Sequence, residues 1–217
     1  LPLRTSVWEA WVSDWEETGI ELADDLDTMY LSYPQPIISD IDFDSKGNMV
    51  IGVMDRWGHQ VGFLNYPAVS GNQTYIVGYS AGDILKAEPA GPIRADGNFI
   101  LEPNNNDNTN FYNDDGPSFE GEFFYMDYFD SERASHGELF TGGLGVMPGR
   151  DEVVLTVFNP IRTGDNAFFD YDGVYTQGTH VYSTETGDRN RASLFVGQYQ
   201  YGKASGLGDL EFGFDLP

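Results

Sequence analysis

The sequence predicts an all-β protein, on three observations. Runs of aromatic and β-branched residues are interrupted at short intervals by Gly, Pro, Asn or Asp, which is how turns separate strands. The chain has 217 residues with 26 glycines and 11 prolines, and 15% of its residues are aromatic, so it can bury one core. A strand–turn–strand unit near the N-terminus also recurs later in the chain.

The clearest of these units is a hairpin in residues 36–60. Its first strand alternates apolar and polar residues, with Ile41 and Phe43 at apolar positions, which is the period of a strand with one buried face and one polar face. The polar positions are acidic: Asp40, Asp42 and Asp44. A turn at residues 45–48 contains Gly47, and residues 49–54 return as an apolar strand.

The recurrence of this hairpin favours a β-propeller. A second copy occupies residues 144–159, and residues 208–212 repeat part of the first strand. Such repetition indicates radially arranged blades more than a closed barrel, while a β-sandwich with similar hairpins is the alternative. A blade takes about 40 to 50 residues, so the chain holds roughly four or five, a partial propeller. Because proteins avoid open sheet edges, we expect further sequence or a companion chain to complete the ring.

Four further segments are predicted strands. They are residues 75–79, 82–87, 174–183 and 192–199. The last two pair across a turn at residues 186–189, which contains Gly187.

The chain divides into an N-terminal segment, residues 1–33, and the predicted propeller blades, residues 34–217. The N-terminal segment carries Trp8, Trp11 and Trp15, whose spacing of three and four residues would place them along one face of a helix. The interpretation that we favour is a short irregular segment whose tryptophans fill a groove between blades. The alternative is a platform of tryptophans that stack on carbohydrate.

The charge of the chain limits its partners. The net charge is −24, and lysine and arginine are scarce, which argues against nucleic acid because phosphate contacts need clustered basic residues. No apolar run is long enough to span a bilayer. The chain has no cysteine, which excludes disulfides and thiol chemistry. These features fit an extracellular or cell-surface protein.

Acidic side chains make Ca²⁺ a candidate cofactor. The loops in residues 104–115 and 165–172 are dense in the carboxylate and amide oxygens that Ca²⁺ prefers. The candidate metal ligands are Asp40, Asp42, Asp44, Asp107, Asp114 and Asp115. The alternative is a solvated or channel-facing acidic edge, because next-neighbour positions on one strand face lie about 7 Å apart.

The candidate binding residues follow the first hairpin. They are Asp55, Arg56, Trp57 and His59. With a carboxylate from another blade, this cluster could form an acid–base pair for glycoside cleavage. The alternative is a structural role in which Arg56 pairs with Asp55 or with a neighbouring loop. The three histidines are far apart in sequence, so neither a zinc site nor a catalytic triad is predicted, and no catalytic residue is assigned.

Three phrases carry a resemblance to a known family. PQPIISDIDFDSKGNMVIGVMDRWGHQ, GGLGVMPGRDEVVLTVFNP and GKASGLGDLEF resemble the C-terminal blades of propeller domains in bacterial cell-surface proteins. In that family the propeller is followed by immunoglobulin-like repeats similar to the B-domains of serine-aspartate-repeat adhesins. The resemblance covers most of residues 34–212, implies an interaction role at the cell surface or in a matrix, and carries no catalytic motif.

These observations predict a non-enzymatic extracellular propeller module that binds another protein or a glycan, in adhesion or in surface assembly. One alternative is a propeller-fold carbohydrate-active enzyme that uses paired carboxylates. Another is a Ca²⁺-dependent, lectin-like sandwich that uses its aromatic residues as sugar platforms.

Overall fold

The computed structural model describes residues 8–22, 27–78, 82–91, 97–102, 123–124, 140–158, 160–161, 177–196 and 208–212. Within these ranges the chain forms eleven strands, one short α-helix and one turn of 3₁₀ helix. The predicted all-β class is therefore confirmed. No helix in the described ranges is long and apolar enough to cross a membrane.

The elements follow one another closely along the chain. The 3₁₀ turn is Glu16–Thr18 and the helix α1 is Arg56–Val61. The strands are β1 (Thr28–Leu31), β2 (Pro36–Phe43), β3 (Met49–Asp55), β4 (Phe63–Asn65), β5 (Tyr75–Gly78), β6 (Gly82–Pro89), β7 (Phe99–Leu101), β8 (Phe140–Val146), β9 (Glu152–Phe158), β10 (Gln177–Ser183) and β11 (Arg189–Val196).

The strands form three sheets. Two have four strands, in the orders β2-β3-β6-β7 and β11-β10-β9-β8, and the third has three strands in the order β1-β5-β4. Strand β8 packs against β2, β3 and β6, so the two larger sheets meet through β8. The described sheets are open and form no ring of blades. The propeller is therefore not confirmed, and the facing sheets are compatible with the sandwich alternative.

The hairpins predicted from the sequence are present. Strands β2 and β3 pair antiparallel around a turn in which Gly47 has a φ of +81°, a conformation that glycine adopts without strain. Strands β8 and β9 form the second hairpin. Strands β10 and β11 pair antiparallel, as expected from their sequences.

The core lies between the two larger sheets. At Gly52 of β3, an added Cβ atom would lie 2.5 Å from the ring of Phe140, so only glycine lets β3 and β8 approach this closely. The buried cluster consists of Val50, Ile84, Phe123, Phe124, Phe140, Leu144, Val146, Val153, Leu155, Val157, Phe158 and Tyr182.

The prediction of which face of β2 is buried was wrong. Ile41 and Phe43 are exposed, whereas the carboxylates of Asp40 and Asp42 point toward β8. Asp40 Oδ2 accepts a hydrogen bond from the Leu144 amide at 2.9 Å, and Asp42 Oδ2 accepts one from the Val146 amide at 2.8 Å. The physical reason is that β8 ends its sheet, so its outward amides need acceptors that only polar side chains of β2 supply.

The tryptophan segment is irregular, as the favoured interpretation of its sequence predicted, and no helix places the tryptophans on one face. In residues 8–22 the only helical turn is the 3₁₀ turn Glu16–Thr18, which ends at Gly19 with a φ of +67°. The indole of Trp11 donates a 2.6 Å hydrogen bond to the Pro36 carbonyl, and the ring of Trp15 lies 5.8 Å from the ring of Trp57. These contacts attach the segment to the first hairpin without a helix.

Candidate functional site

Two of the four residues in the cluster predicted after the first hairpin are buried. Asp55 is fully buried at the end of β3, and its Oδ1 atom accepts a hydrogen bond from the Gln35 amide at 3.0 Å. Trp57 is also buried, with its ring 5.8 Å from that of Trp15 and 6.0 Å from that of Tyr33. The helix α1 therefore turns these two predicted binding residues inward.

Arg56 joins α1 to the N-terminal segment. Its Nη1 atom donates to Gln60 Oε1 at 2.9 Å, and its Nη2 atom donates to Gln35 Oε1 and to the Val12 carbonyl. The guanidinium also lies 4.7 Å from the centre of the Trp11 ring, a cation–π distance. Of the four predicted binding residues, His59 alone is exposed. These four residues are neighbours in sequence, but in the structure they do not form one exposed surface.

The acidic residues of the first hairpin are engaged by backbone amides. Asp44 lies in the turn, where Oδ1 accepts from the amides of Lys46 at 2.8 Å and Asn48 at 2.9 Å. Burial raises the pKa of Asp40, and a hydrogen bond to the side chain of Asp209 raises it further, against the lowering effect of the Leu144 amide.

No group of three or more His, Asp or Glu side chains with metal-binding geometry occurs within the described ranges. Asp107, Asp114 and Asp115 lie outside those ranges. Binding of Ca²⁺ therefore stays a prediction, because the residues that would best supply oxygen ligands are not among the described ones.

Sequence analysis missed a buried carboxyl group. Glu102 follows β7 with a φ of +46°, and its carboxylate accepts hydrogen bonds from the amides of Lys86 at 2.5 Å and Phe123 at 2.7 Å. Burial raises the pKa of Glu102 to about 7, although both amide hydrogen bonds lower it. The carboxylate stabilises the contact between β6 and residues 123–124.

A buried histidine in the other four-stranded sheet has its pKa shifted in the opposite direction, downward. His180 Nε2 lies 2.8 Å from the Pro160 carbonyl oxygen, which can only accept, so this nitrogen donates the proton. The Tyr182 hydroxyl lies 3.3 Å from Nδ1. Burial lowers the pKa of His180 to about 4, so the ring is neutral at physiological pH. Both titratable groups support the fold and neither is exposed.

A group of exposed aromatic side chains lies on the three-stranded sheet. The helix α1 packs against one face of this sheet, where an added Cβ atom at Gly78 would lie 2.9 Å from Val61. In the register of the sheet, Tyr30 of β1 and Phe63 of β4 both lie opposite Val77 of β5. Directly paired residues share a face, so both rings flank Val77 on the face away from α1.

Tyr75 lies on this same face, two residues before Val77 along β5. Tyr66 follows β4, and its ring stacks on that of Tyr75 with the centroids 4.9 Å apart and the planes at 24°. The two hydroxyl groups are 3.0 Å apart, and this hydrogen bond raises the pKa of Tyr66. We call the exposed surface formed by Tyr30, Phe63, Tyr66 and Tyr75 the aromatic platform.

All four rings of the aromatic platform are open to solvent. The exposed fractions are 51% for Tyr30, 54% for Phe63, 59% for Tyr66 and 40% for Tyr75. A tyrosine or phenylalanine that is half exposed leaves much of a large ring surface in water. Several such rings on one small sheet are the kind of exposed patch that marks an interaction site.

The backbone before and within β4 gives the platform its shape. Gly62 has a φ of +66° and its carbonyl accepts the Gly78 amide at 2.7 Å, which joins the start of β4 to the end of β5. Leu64 has a φ of +53°, an uncommon conformation for a bulky side chain, at a register shift between Phe63 and Asn65. Asn65 Nδ2 donates to the Val61 carbonyl at 2.5 Å and ties this bulge to α1.

Sequence analysis did not find the platform. Strand β1 lies far from β5 in the chain and pairs with it in parallel, an arrangement that the sequence signals of a hairpin do not predict. The alternation of Tyr75 and Val77 with Ile76 was a usable signal for a strand. Nothing in that alternation indicates which face is left uncovered.

Comparison with known proteins gives one informative similarity. The chain is 28% identical over 220 residues to Colossin-A from Dictyostelium discoideum, an alignment that covers 95% of this chain and 2% of Colossin-A. This relative is eukaryotic, so the resemblance to bacterial surface propellers followed by adhesin-like repeats was wrong. No protein-family model matches the chain, and no solved structure matches it significantly.

Proposed function

We propose that this chain is a non-enzymatic recognition module of an extracellular or cell-surface protein, and that the aromatic platform is its contact face. The observation that carries the proposal is the exposure of Tyr30, Phe63, Tyr66 and Tyr75 on one small sheet. Binding would cover ring surface that is now in water, at a gain of roughly 25 cal/mol for each Å² removed from solvent.

The similarity to Colossin-A supports a modular role. A segment that aligns with 95% of this chain makes up only 2% of that much longer protein. The fold described here is therefore proposed to act as one unit within a larger chain. The net charge of −24 keeps such a unit soluble and disfavours acidic partners.

The engagement of the acidic residues weighs against the enzyme alternative. A glycosidase needs two carboxyl groups about 5 to 10 Å apart that face the same bound sugar. In the first hairpin, Asp40 and Asp42 accept hydrogen bonds from β8, and Asp44 is buried in its own turn. Glu102 has a raised pKa, but its carboxylate is buried and bonded to two backbone amides.

The proposal also includes a partial propeller, a companion chain that completes it and bound Ca²⁺. Each larger sheet has four strands, the number in a propeller blade, although their facing contact through β8 favours a sandwich. Intact mass and light scattering with and without EDTA test the partner and the ion together. Dissociation of a complex by EDTA would support a Ca²⁺-dependent assembly. A monomer whose mass is the same with and without EDTA would contradict that assembly.

A pair of variants tests the contact face. The labelled protein is applied to immobilised extracellular-matrix proteins and polysaccharides, beside a Tyr30→Ala/Phe63→Ala variant. Phe195→Ala is the matched control, because Phe195 is 63% exposed on β11 of another sheet. We expect the double variant to lose binding at an unchanged melting temperature and the control to retain it. Equal binding by the wild-type protein and the double variant would contradict the proposal.

A further inference from the structure

We infer that the aromatic platform binds a neutral polysaccharide, whose sugar rings stack on the exposed tyrosine and phenylalanine faces. The inference rests on the proposed function, because it names the ligand of the same surface. Four properties of the platform support it: its size, its charge environment, the chemistry of its side chains and the rigidity of their positions.

The platform is too small for a folded protein partner. Its three strands span about 10 Å from β1 to β4, and four residues of β5 span about 13 Å, by the spacings of a regular sheet. A stable protein interface covers about 800 Å² of accessible surface on each partner. Four rings of this exposure present roughly 400 Å², about half of that area. A short stretch of polysaccharide needs only a few rings in a row, which is what this surface offers.

The charge of the chain disfavours acidic ligands. Single-stranded nucleic acid also stacks on exposed aromatic rings, but its binding needs a basic groove along the phosphates. The chain has 11 lysine and arginine residues against 35 aspartate and glutamate residues, so a polyanion is repelled. The same repulsion applies to sulfated or carboxylated polysaccharides. The four side chains of the platform are uncharged, which favours a neutral polysaccharide over a cationic one.

The side chains of the platform match both surfaces of a sugar ring. The face of an aromatic ring carries partial negative charge, and the C–H groups of a sugar face carry partial positive charge, so the two attract when stacked. Tyrosine adds a hydroxyl group that both donates and accepts. The Tyr66 and Tyr75 hydroxyls bond each other at 3.0 Å, which uses one proton and leaves the other for a sugar hydroxyl.

The rings are held in place before any ligand binds. Tyr66 and Tyr75 stack on each other, and the bulge at Leu64 is tied to α1 through Asn65. Tyr30 and Phe63 stand on paired strands on either side of Val77, about 10 Å apart by the spacing of two strands. Positions fixed in this way reduce the entropy lost on binding.

Affinity electrophoresis in native gels tests this inference with polysaccharides that share one backbone. Hydroxyethyl cellulose is the neutral probe and carboxymethyl cellulose its anionic counterpart, and neutral mannan and dextran extend the panel. We expect retardation by at least one neutral polysaccharide and none by carboxymethyl cellulose. Tyr30→Ala should weaken the binding roughly tenfold, the size of one stacking interaction, and Phe195→Ala should leave it unchanged.

The outcomes separate this inference from the proposed function. If no neutral polysaccharide retards the protein while platform-dependent binding to a matrix protein persists, the inference fails and the proposed function stands. If neither kind of ligand depends on Tyr30 and Phe63, both fail. Binding that is stronger to carboxymethyl cellulose, or that Phe195→Ala abolishes, would also overturn the inference.

Discussion

Glu102 and His180 are expected to give opposite slopes to the pH dependence of stability. The pKa of Glu102 is raised from 4.5 to about 7 on folding, so its carboxyl group stays neutral up to a higher pH in the folded chain than in the unfolded one. Stability from this group is fully present below pH 4.5 and is lost as the pH rises through 7. The pKa of His180 is lowered from 6.5 to about 4, so its contribution is present above pH 6.5 and is lost as the pH falls through 4.

The two effects nearly cancel in the wild-type protein. Each pKa moves by about 2.5, and each pKa unit corresponds to about 1.4 kcal/mol, so the full effect of either group is roughly 3 kcal/mol. Between pH 5 and pH 7.5 the expected change is a loss of about 2 kcal/mol from Glu102 and a gain of about 2 kcal/mol from His180. Together these two groups should therefore change the wild-type free energy of unfolding little across this range.

Two variants, each with a side chain that does not titrate, remove one of the two contributions to the pH dependence of stability. In Glu102→Gln the remaining histidine should make the protein about 2 kcal/mol more stable at pH 7.5 than at pH 5, and in His180→Gln the remaining carboxyl should make it about 2 kcal/mol less stable. Asp40, whose pKa is also raised, is present in all three proteins and cancels when their slopes are compared.

Urea unfolding at constant ionic strength, followed by tryptophan fluorescence, measures the free energy at each pH. The slope is the readout, because either substitution also changes packing and lowers the absolute stability. Parallel pH profiles for the wild-type protein and both variants would refute the assignment of these two buried groups.

Three further substitutions test how the sheets and the N-terminal segment are joined. Asp42→Ala leaves an edge amide of β8 without its acceptor and should lower the free energy of unfolding by about 1 to 3 kcal/mol in urea titrations. Gly143→Ala would bring a Cβ atom within 2.0 Å of the backbone of residues 208–212, so we expect a lower melting temperature, whereas Gly91→Ala, in open space, should not change it. Trp57→Ala removes a buried ring and should lower the free energy of unfolding by about 3 to 5 kcal/mol. It should also speed proteolysis of the N-terminal segment, which contacts this ring through Trp15, and unchanged proteolysis would contradict that contact.

Local patterns predicted the strands well. The hairpin of β2 and β3, the hairpin of β8 and β9, and the pairing of β10 with β11 are all between neighbours in sequence, where the turn fixes the register. The pairing of β1 with β5 was missed because it joins distant strands in parallel. The aromatic platform depends on that pairing, so the candidate site was missed with it.

The predicted binding cluster shows the same limit. Residues 55–59 combine charged, aromatic and imidazole side chains, which in sequence is typical of a site. In the structure α1 turns Trp57 toward Trp15 and Tyr33, and Arg56 toward Gln35. Sequence gives the residue types, but the direction of each side chain depends on a segment more than twenty residues away.

By itself the sequence determined the all-β class, the acidic charge and the position of the main hairpins, because these follow from composition and from contacts between neighbouring residues. The tertiary structure decided which faces are covered. Asp40 and Asp42 face inward although they are charged, since β8 presents amides that need acceptors. Tyr30 and Phe63 stay exposed although they are aromatic, since they lie on the face of their sheet opposite α1, where they flank the buried Val77.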